Sequence, residues 1–165
     1  MIAIVCVDKN WGIGKENQLL FSLPLDMKFF RETTLNKVVV MGGNTLRSFP
    51  NGNLLPKRTN VVLSRTEDRK DCIVVKDLES LLSHIKRYDS DQVYIIGGAS
   101  VYKSMIEYCD KALVTKVDEE ALADTFFPNL DQIKGWEMVK QSEEMETNGR
   151  KIRFTEYVNN NKKEI

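Results

Sequence analysis

Apolar residues along this chain fall into short runs that alternate with stretches of helical spacing. Ile2 to Val7 is continuous and largely β-branched, as expected of a strand buried on both faces. Lys37–Met41, Thr59–Leu63, Cys72–Val75, Gln92–Ile96 and Lys111–Val117 read as further strands. Trp136–Gln141 and Lys151–Val158 alternate as two strands joined by a turn at Asn148-Gly149. Pro24 suits the first position of a helix, where its fixed φ is right and its missing N–H costs nothing. A short helix follows Gly42-Gly43-Asn44-Thr45 as far as about Phe49, and another follows Gly97-Gly98-Ala99-Ser100 to about Tyr108. Leu78, Leu81, Leu82 and Ile85 recur at helical spacing and predict a helix over 78–88. The expected fold is α/β: a central mixed, mostly parallel sheet of about eight strands with a C-terminal antiparallel hairpin, flanked by about four helices.

The helix from Pro24 carries an acid in an awkward place. At about 100° per residue, Asp26 shares one arc with Met27, Phe29, Phe30, Thr33 and Thr34, while Lys28, Arg31 and Glu32 take the other. A carboxylate in the middle of an apolar face is disfavoured in its charged form, so its pKa should rise unless a partner offsets the desolvation. Such a group is a candidate proton donor or cation binder. The plainer alternative, an Asp that complements the dipole in the first turn, stays open from this stretch alone.

The connections also carry signals. Lys9 to Leu20 holds Gly12, Gly14 and many polar residues, more than a link between strand and helix needs, and loops of this length are often lids. VVVMGGNTL and VYIIGGASVY share one pattern: a buried strand, two glycines and the start of a helix. Paired glycines let backbone approach a ligand closely, and a helix start attracts an anion such as phosphate. Together the two turns suit the ends of a dinucleotide, although neither matches a standard phosphate-loop pattern and each alone reads equally as a tight turn. Arg65 follows the end of a strand, where open α/β sheets place ligand contacts, and Lys76 follows another; either suits a phosphate.

Length and charge narrow the class. The 165 residues suit a single domain over 1–158, with 159–165 as a polar tail. Lys plus Arg and Asp plus Glu both number 24, so no net basic field exists for nucleic acid or an anionic membrane, and a small-molecule partner is expected. Cys6, Cys72 and Cys109 are odd in number, widely spaced and form no zinc pattern, so they read as reduced core cysteines and no metal site is expected. The N-terminal apolar run is too short for a membrane span and lacks the features of a signal peptide, which points to the cytoplasm. His84, the only histidine, lies off its helix's apolar stripe and is expected to be solvated. No Ser-His-Asp set, HExxH or cysteine beside a base is present, so the inventory favours redox chemistry by a bound cofactor with Asp26 managing a proton.

Taken in order, IVCVDKNWGIGKENQLL, LPLDMKFFRETT, VVVMGGNTLRSFP, PKRTNVVLSR, VYIIGGASVY, and VTKV followed by ADTFFPNL resemble bacterial dihydrofolate reductases over residues 1 to about 158. The resemblance implies hydride transfer from NADPH to C6 of dihydrofolate with protonation at N5, by a monomer that needs no metal, nucleic acid or membrane. Asp26 matches the family's active-site acid, supported by Thr115. Ile4, Val5, Met27, Phe30, Arg31, Phe49 and Leu55 would complete the substrate wall, and Arg58 would clamp the glutamate α-carboxylate. For the cofactor, Cys6, Ile13 and the loop with Gly12, Gly14, Asn17, Gln18 and Leu19 would flank the nicotinamide. Thr45, Gly97, Gly98, Ala99, Ser100, Val101 and Tyr102 would hold the pyrophosphate and ribose. Ser64, Arg65 and Lys76 would take the adenosine 2′-phosphate, with Gly43, Asn44, Leu63 and Ile96 on the same side. The resemblance also implies a cis peptide between Gly97 and Gly98, and a lid latched by Asp124.

Two positions depart from the family. Gly43 stands where an Arg or Lys usually helps hold the adenine and 2′-phosphate, which leaves Arg65 as the main expected source of selectivity for NADPH. Phe21 stands where many members carry Trp. Two rivals are a pyrimidine reductase of riboflavin synthesis, which would not require Asp26 in LPLD, and a noncatalytic dinucleotide-binding module.

Overall fold

The computed structural model describes residues 1–165. The chain runs through β1 (Ile2–Val7), β2 (Gly12–Lys15), β3 (Gln18–Leu19), α1 (Pro24–Thr34), β4 (Val38–Gly42), α2 (Gly43–Ser48), β5 (Thr59–Leu63) and β6 (Ile73–Val75). It continues with α3 (Leu78–Ile85), β7 (Val93–Gly97), α4 (Ala99–Met105), β8 (Lys111–Val117), β9 (Thr125–Phe126), β10 (Trp136–Gln141), β11 (Met145–Thr147) and β12 (Arg150–Asn159). The main sheet has the order β10-β12-β8-β1-β7-β4-β5-β6. From β8 to β6 every pairing is parallel, while β12 joins β8 and β10 antiparallel.

Sequence alternation in β4 shows why the sheet is covered twice. Val38 and Val40 belong to a 23-residue core cluster, whereas Val39 and Met41 join a separate one with Leu46 and Val62. Successive side chains point to opposite faces, so a run of four apolar residues requires packing on both. Thr34 is the only fully buried residue of α1, while Phe29 and Phe30 are half-buried and Met27 is 56% exposed. The apolar arc of α1 is therefore mostly the wall of an open cleft.

Several boundaries differ from those the sequence predicts. The Lys9–Leu20 stretch is not a plain loop: β2 pairs with β3 and with β9, forming a separate three-stranded sheet. Strands of two residues are too short to show a period, so pattern alone cannot reveal them. Asn148 and Gly149 both have positive φ, 51° and 75°, as a tight hairpin turn demands, but they join β11 to β12. β10 pairs with the far half of β12 through a longer connection. α3 ends at Ile85, and α4 gives way to a 3₁₀ turn over Ile106–Tyr108. The polar tail is tied down: Lys163 N–H donates to Glu107 O at 2.8 Å and Lys162 pairs with Asp110 at 2.9 Å. His84 is half-buried, 3.3 Å from the Tyr88 hydroxyl, rather than fully solvated.

Candidate active site

Because β8, β1, β7, β4, β5 and β6 are parallel, their carboxyl ends form one edge. Along it lie Thr115, Cys6, the Gly97-Gly98 turn, the Gly42-Gly43 turn, Ser64 with Arg65, and Lys76. Three inter-strand steps separate β1 from β5, about 14 Å at ordinary strand spacing, a span that suits a dinucleotide laid across the edge.

At one end, Asp26 projects from the first turn of α1 toward β8. Its Oδ1 accepts from Thr115 Oγ at 2.7 Å. Thr115, which is 2% exposed, lies opposite Cys6 in the β1–β8 register, so both strands present a side chain to the acid. Burial pushes the Asp26 carboxyl above its ordinary value, and hydrogen bonds from Thr115 and Cys6 oppose that rise only partly. Burial and the neighbouring Asp26 in turn push the Cys6 thiol up. An acid held by neutral donors can change its protonation state without stranding a counter-ion, which is what proton management requires.

Arg58 closes the other end of the α1 wall. Its Nε donates to Thr34 Oγ at 3.2 Å, Nη1 to Pro56 O at 2.7 Å and Nη2 to Arg31 O at 2.7 Å. All three partners are neutral oxygens, and they use three of five N–H groups, leaving one on each terminal nitrogen for a bidentate anion. Burial and the Arg31 charge hold its pKa below the usual guanidinium value. Phe49 and Leu55 lie half-buried against the Val39, Met41, Leu46 and Val62 cluster.

The two diglycine turns that looked alike in sequence are neighbours in space, since β4 pairs with β7 and Met41 lies opposite Gly97. A Cβ on Gly98 would lie 3.3 Å from Thr45 Oγ, and one on Gly42 would lie 3.1 Å from a Val101 methyl. Gly97 has φ 131°, a conformation that L side chains rarely adopt, and its bond to Gly98 is cis. The bare backbone and the Thr45 hydroxyl thus form a shallow cradle that a side chain would fill. Beneath it, the Tyr102 hydroxyl donates to Ile4 O at 2.7 Å, linking α4 to β1. Ile4 and Val5 are themselves buried, at 5% and 8% exposure, so they contribute the floor of the site more than its open surface.

The profile of the family described as Dihydrofolate reductase matches residues 1–159. The chain belongs to the dihydrofolate reductase family. It is 39% identical to the dihydrofolate reductase of Haemophilus influenzae over 136 residues, 82% of each chain. It is 32% identical to that of Bacillus subtilis over 142 residues, 85% of this chain and 82% of the relative. Among solved structures it is similar to a dihydrofolate reductase from Enterococcus faecalis complexed with NADP(H) and RAB-propyl, with a TM-score of 0.84 and 32% identity. That match covers 96% of this chain and 95% of the other.

Besides the β2–β9 pairing, two carboxylates hold the Lys9–Leu20 segment. Asp8, 2% exposed, accepts from the amides of Asn10 and Gly12 through Oδ1, at 2.9 and 2.7 Å, and from Ala121 through Oδ2 at 2.9 Å. Farther out, Asp124 Oδ2 accepts from Glu16 N–H at 2.9 Å. A Cβ on Gly12 would come within 2.5 Å of Ala123 Cβ, and one on Gly14 within 2.9 Å of Gln18 O, so both glycines serve close approach. Asn17, Gln18 and Leu19 are exposed at the hairpin, with Leu19 at 83%.

At the far end of the edge, Ser64 and the exposed Arg65 follow β5, but Lys76 is already engaged. Its ammonium donates to Glu67 O at 2.9 Å and reaches Arg65 O at 3.5 Å, so it shapes the 64–67 loop more than it offers a free charge. Asp8 and Arg47 carry no catalytic motif, and sequence reasoning passed over both. The DKN stretch after β1 is nevertheless an Asx-turn signal, since an Asp side chain captures amides two residues on. No helix is long and apolar enough to cross a membrane.

Proposed function

We propose that this chain reduces 7,8-dihydrofolate to 5,6,7,8-tetrahydrofolate with NADPH and adds a proton at N5, serving one-carbon and thymidylate metabolism in the cytoplasm. The observation that carries the reading is Asp26, partly desolvated, raised in pKa and bonded only to neutral donors at the mouth of the sheet. NADPH, when bound, supplies the hydride for C6. Asp26 holds the amide and 2-amino edge of the pteridine, and its protonation equilibrium governs the supply of the N5 proton, while Thr115 fixes its orientation. Phe30, Met27 and Arg31 on α1, with Phe49 and Leu55 opposite, line the substrate cleft and exclude water. Arg58 presents its two free N–H groups to the substrate's glutamate α-carboxylate. The Gly97-Gly98 cradle with Thr45 fits a pyrophosphate, because it leaves backbone open where a Cβ would intrude. Residues 38–106 form the adenosine-binding part, and the lid covers the nicotinamide end.

A noncatalytic dinucleotide module has no use for the Asp26 environment, and a reductase acting on a ribosylamino group has no use for Arg58 at the other end of the α1 wall. The deciding experiment follows NADPH absorbance after dihydrofolate is added to wild type and Asp26→Asn at pH 7. Turnover by wild type and its near-loss in the variant are expected; near-normal turnover by the variant would sink the assignment of Asp26.

A further inference from the structure

Gly43 is the first residue of α2, and its φ is not positive, so no backbone strain reserves the position for glycine. What occupies the space above it is another residue's side chain. A Cβ on Gly43 would lie 3.1 Å from Arg47 Nη1, 3.4 Å from Arg47 Nη2 and 3.2 Å from Ser64 Oγ. The Arg47 guanidinium, one turn farther along α2, therefore folds back over the glycine into the volume where a side chain at 43 would begin.

The surrounding contacts give this guanidinium a direction without saturating it. Nη2 donates to Asn44 Oδ1 at 2.5 Å, and Nη1 lies 3.8 Å from Glu67 Oε2, a long ion pair. The Arg47 side chain is 54% exposed, while that of Glu67 is 16% exposed. Ser64 Oγ accepts the amides of Thr66 at 3.3 Å and Glu67 at 3.1 Å, which leaves the hydroxyl proton free to donate outward. A charged fork and a neutral donor thus converge on one point above Gly43, at the end of the edge opposite Asp26. NADPH differs from NADH by one phosphate on its adenosine ribose, and a phosphate dianion calls for this combination of guanidinium and hydroxyl.

We propose that Arg47, on a different turn of α2 from residue 43, is a cation that reads the 2′-phosphate of NADPH, with Ser64 as its neutral partner. Glu67 acts as a placeholder carboxylate that keeps the guanidinium aimed at the spot and yields to the phosphate. This rests on the NADPH reading above, and it divides selectivity between Arg47 and Arg65, where the sequence pointed mainly to Arg65.

Dissociation constants for NADPH and NADH, read by quenching of protein fluorescence and needing no turnover, test it. Arg47→Gln should weaken NADPH about tenfold or more, the loss expected for one charge-assisted contact, and leave NADH within about twofold. Glu67→Gln should tighten NADPH and leave NADH unchanged, a gain that misfolding cannot mimic. If Arg47→Gln keeps the wild-type ratio, or weakens both cofactors equally, Arg47 does not read the phosphate and the proposal is wrong. If wild type itself shows no preference for NADPH, the cofactor reading fails first, before any variant is compared.

Discussion

At the β1–β8 end of the edge, the ionisable group is a carboxylate with two neutral donors and no cation beside it; at the β4–β5 end, the ionisable groups are arginines, one of them facing a carboxylate. The difference follows from what each end must do under the proposed function. A group that manages a proton has to be able to change charge, so it is desolvated and left without a counter-ion that would lock one state. A group that reads a phosphate must never change charge, so it is a guanidinium, kept near water where holding it costs little. Arg58 is intermediate: always charged, yet tethered entirely by neutral oxygens, which leaves one N–H on each terminal nitrogen free for the proposed carboxylate.

Breaking the proton-managing end should have the largest effect. Asp26→Asn should fold and bind NADPH normally but lose about 10²–10⁴-fold in kcat at pH 7, the usual range for a positioned acid or base. Steady-state rates and NADPH titration on the same preparation check both halves. Next in size, Arg58→Gln should raise KM for dihydrofolate about 10- to 100-fold, as expected when one charged bidentate contact is lost. A pteridine substrate lacking the glutamate should be turned over equally by wild type and this variant, and a comparable loss on that substrate would refute the carboxylate role.

A subtler change sharpens the contrast. Where the proton on the substrate site is needed for the chemical step, the rate should fall as pH rises through the raised pKa of Asp26. Thr115 donates to the carboxylate and so favours its ionised form; Thr115→Val should move the descending limb to higher pH. A displacement toward lower pH in single-turnover measurements would contradict that electrostatic account. Smallest is an effect on stability. The folded-state pKa of Asp26 lies above its ordinary value, so the folded protein binds the proton more tightly than the unfolded chain. Stability from this group is complete below the ordinary carboxylate pKa and is lost as pH rises through the raised one. Asp26→Asn should therefore unfold at higher urea than wild type at pH 7, with the gap closing as pH is lowered toward 4.

Much of this was legible in the sequence because it depended on period and punctuation. The runs of β1 and β4 are continuous and mostly β-branched, β5, β7 and β8 are rich in β-branched residues, and Pro24 marks the start of α1 to the residue. The position of Asp26 on an apolar arc followed from helical geometry alone, although the arc turned out to be a cleft wall that the protein leaves half open. What escaped was whatever depends on side chains reaching across sequence distance. Lys76 looks like a free cation until its carbonyl partners are seen, and Arg47 looks like a surface residue until it is found over Gly43. The pairing of β2 with β9 joins segments more than a hundred residues apart and is too short to leave a pattern.

Asp8 bears on how the Lys9–Leu20 segment would open if it serves as the proposed lid. The three amides it accepts, held by a side chain with almost no access to water, contrast with the single exposed side-chain bond from Asp124 to Glu16 near the tip. Under thermal agitation such a flap comes away like a strip peeled from its loose corner, with its root still fastened. Amide exchange should then be graded along one short segment, fastest at Glu16 and slowest at Gly12. Because Ala121 shares the same root, the segment before β9 should stay in place with it while the tip is loose.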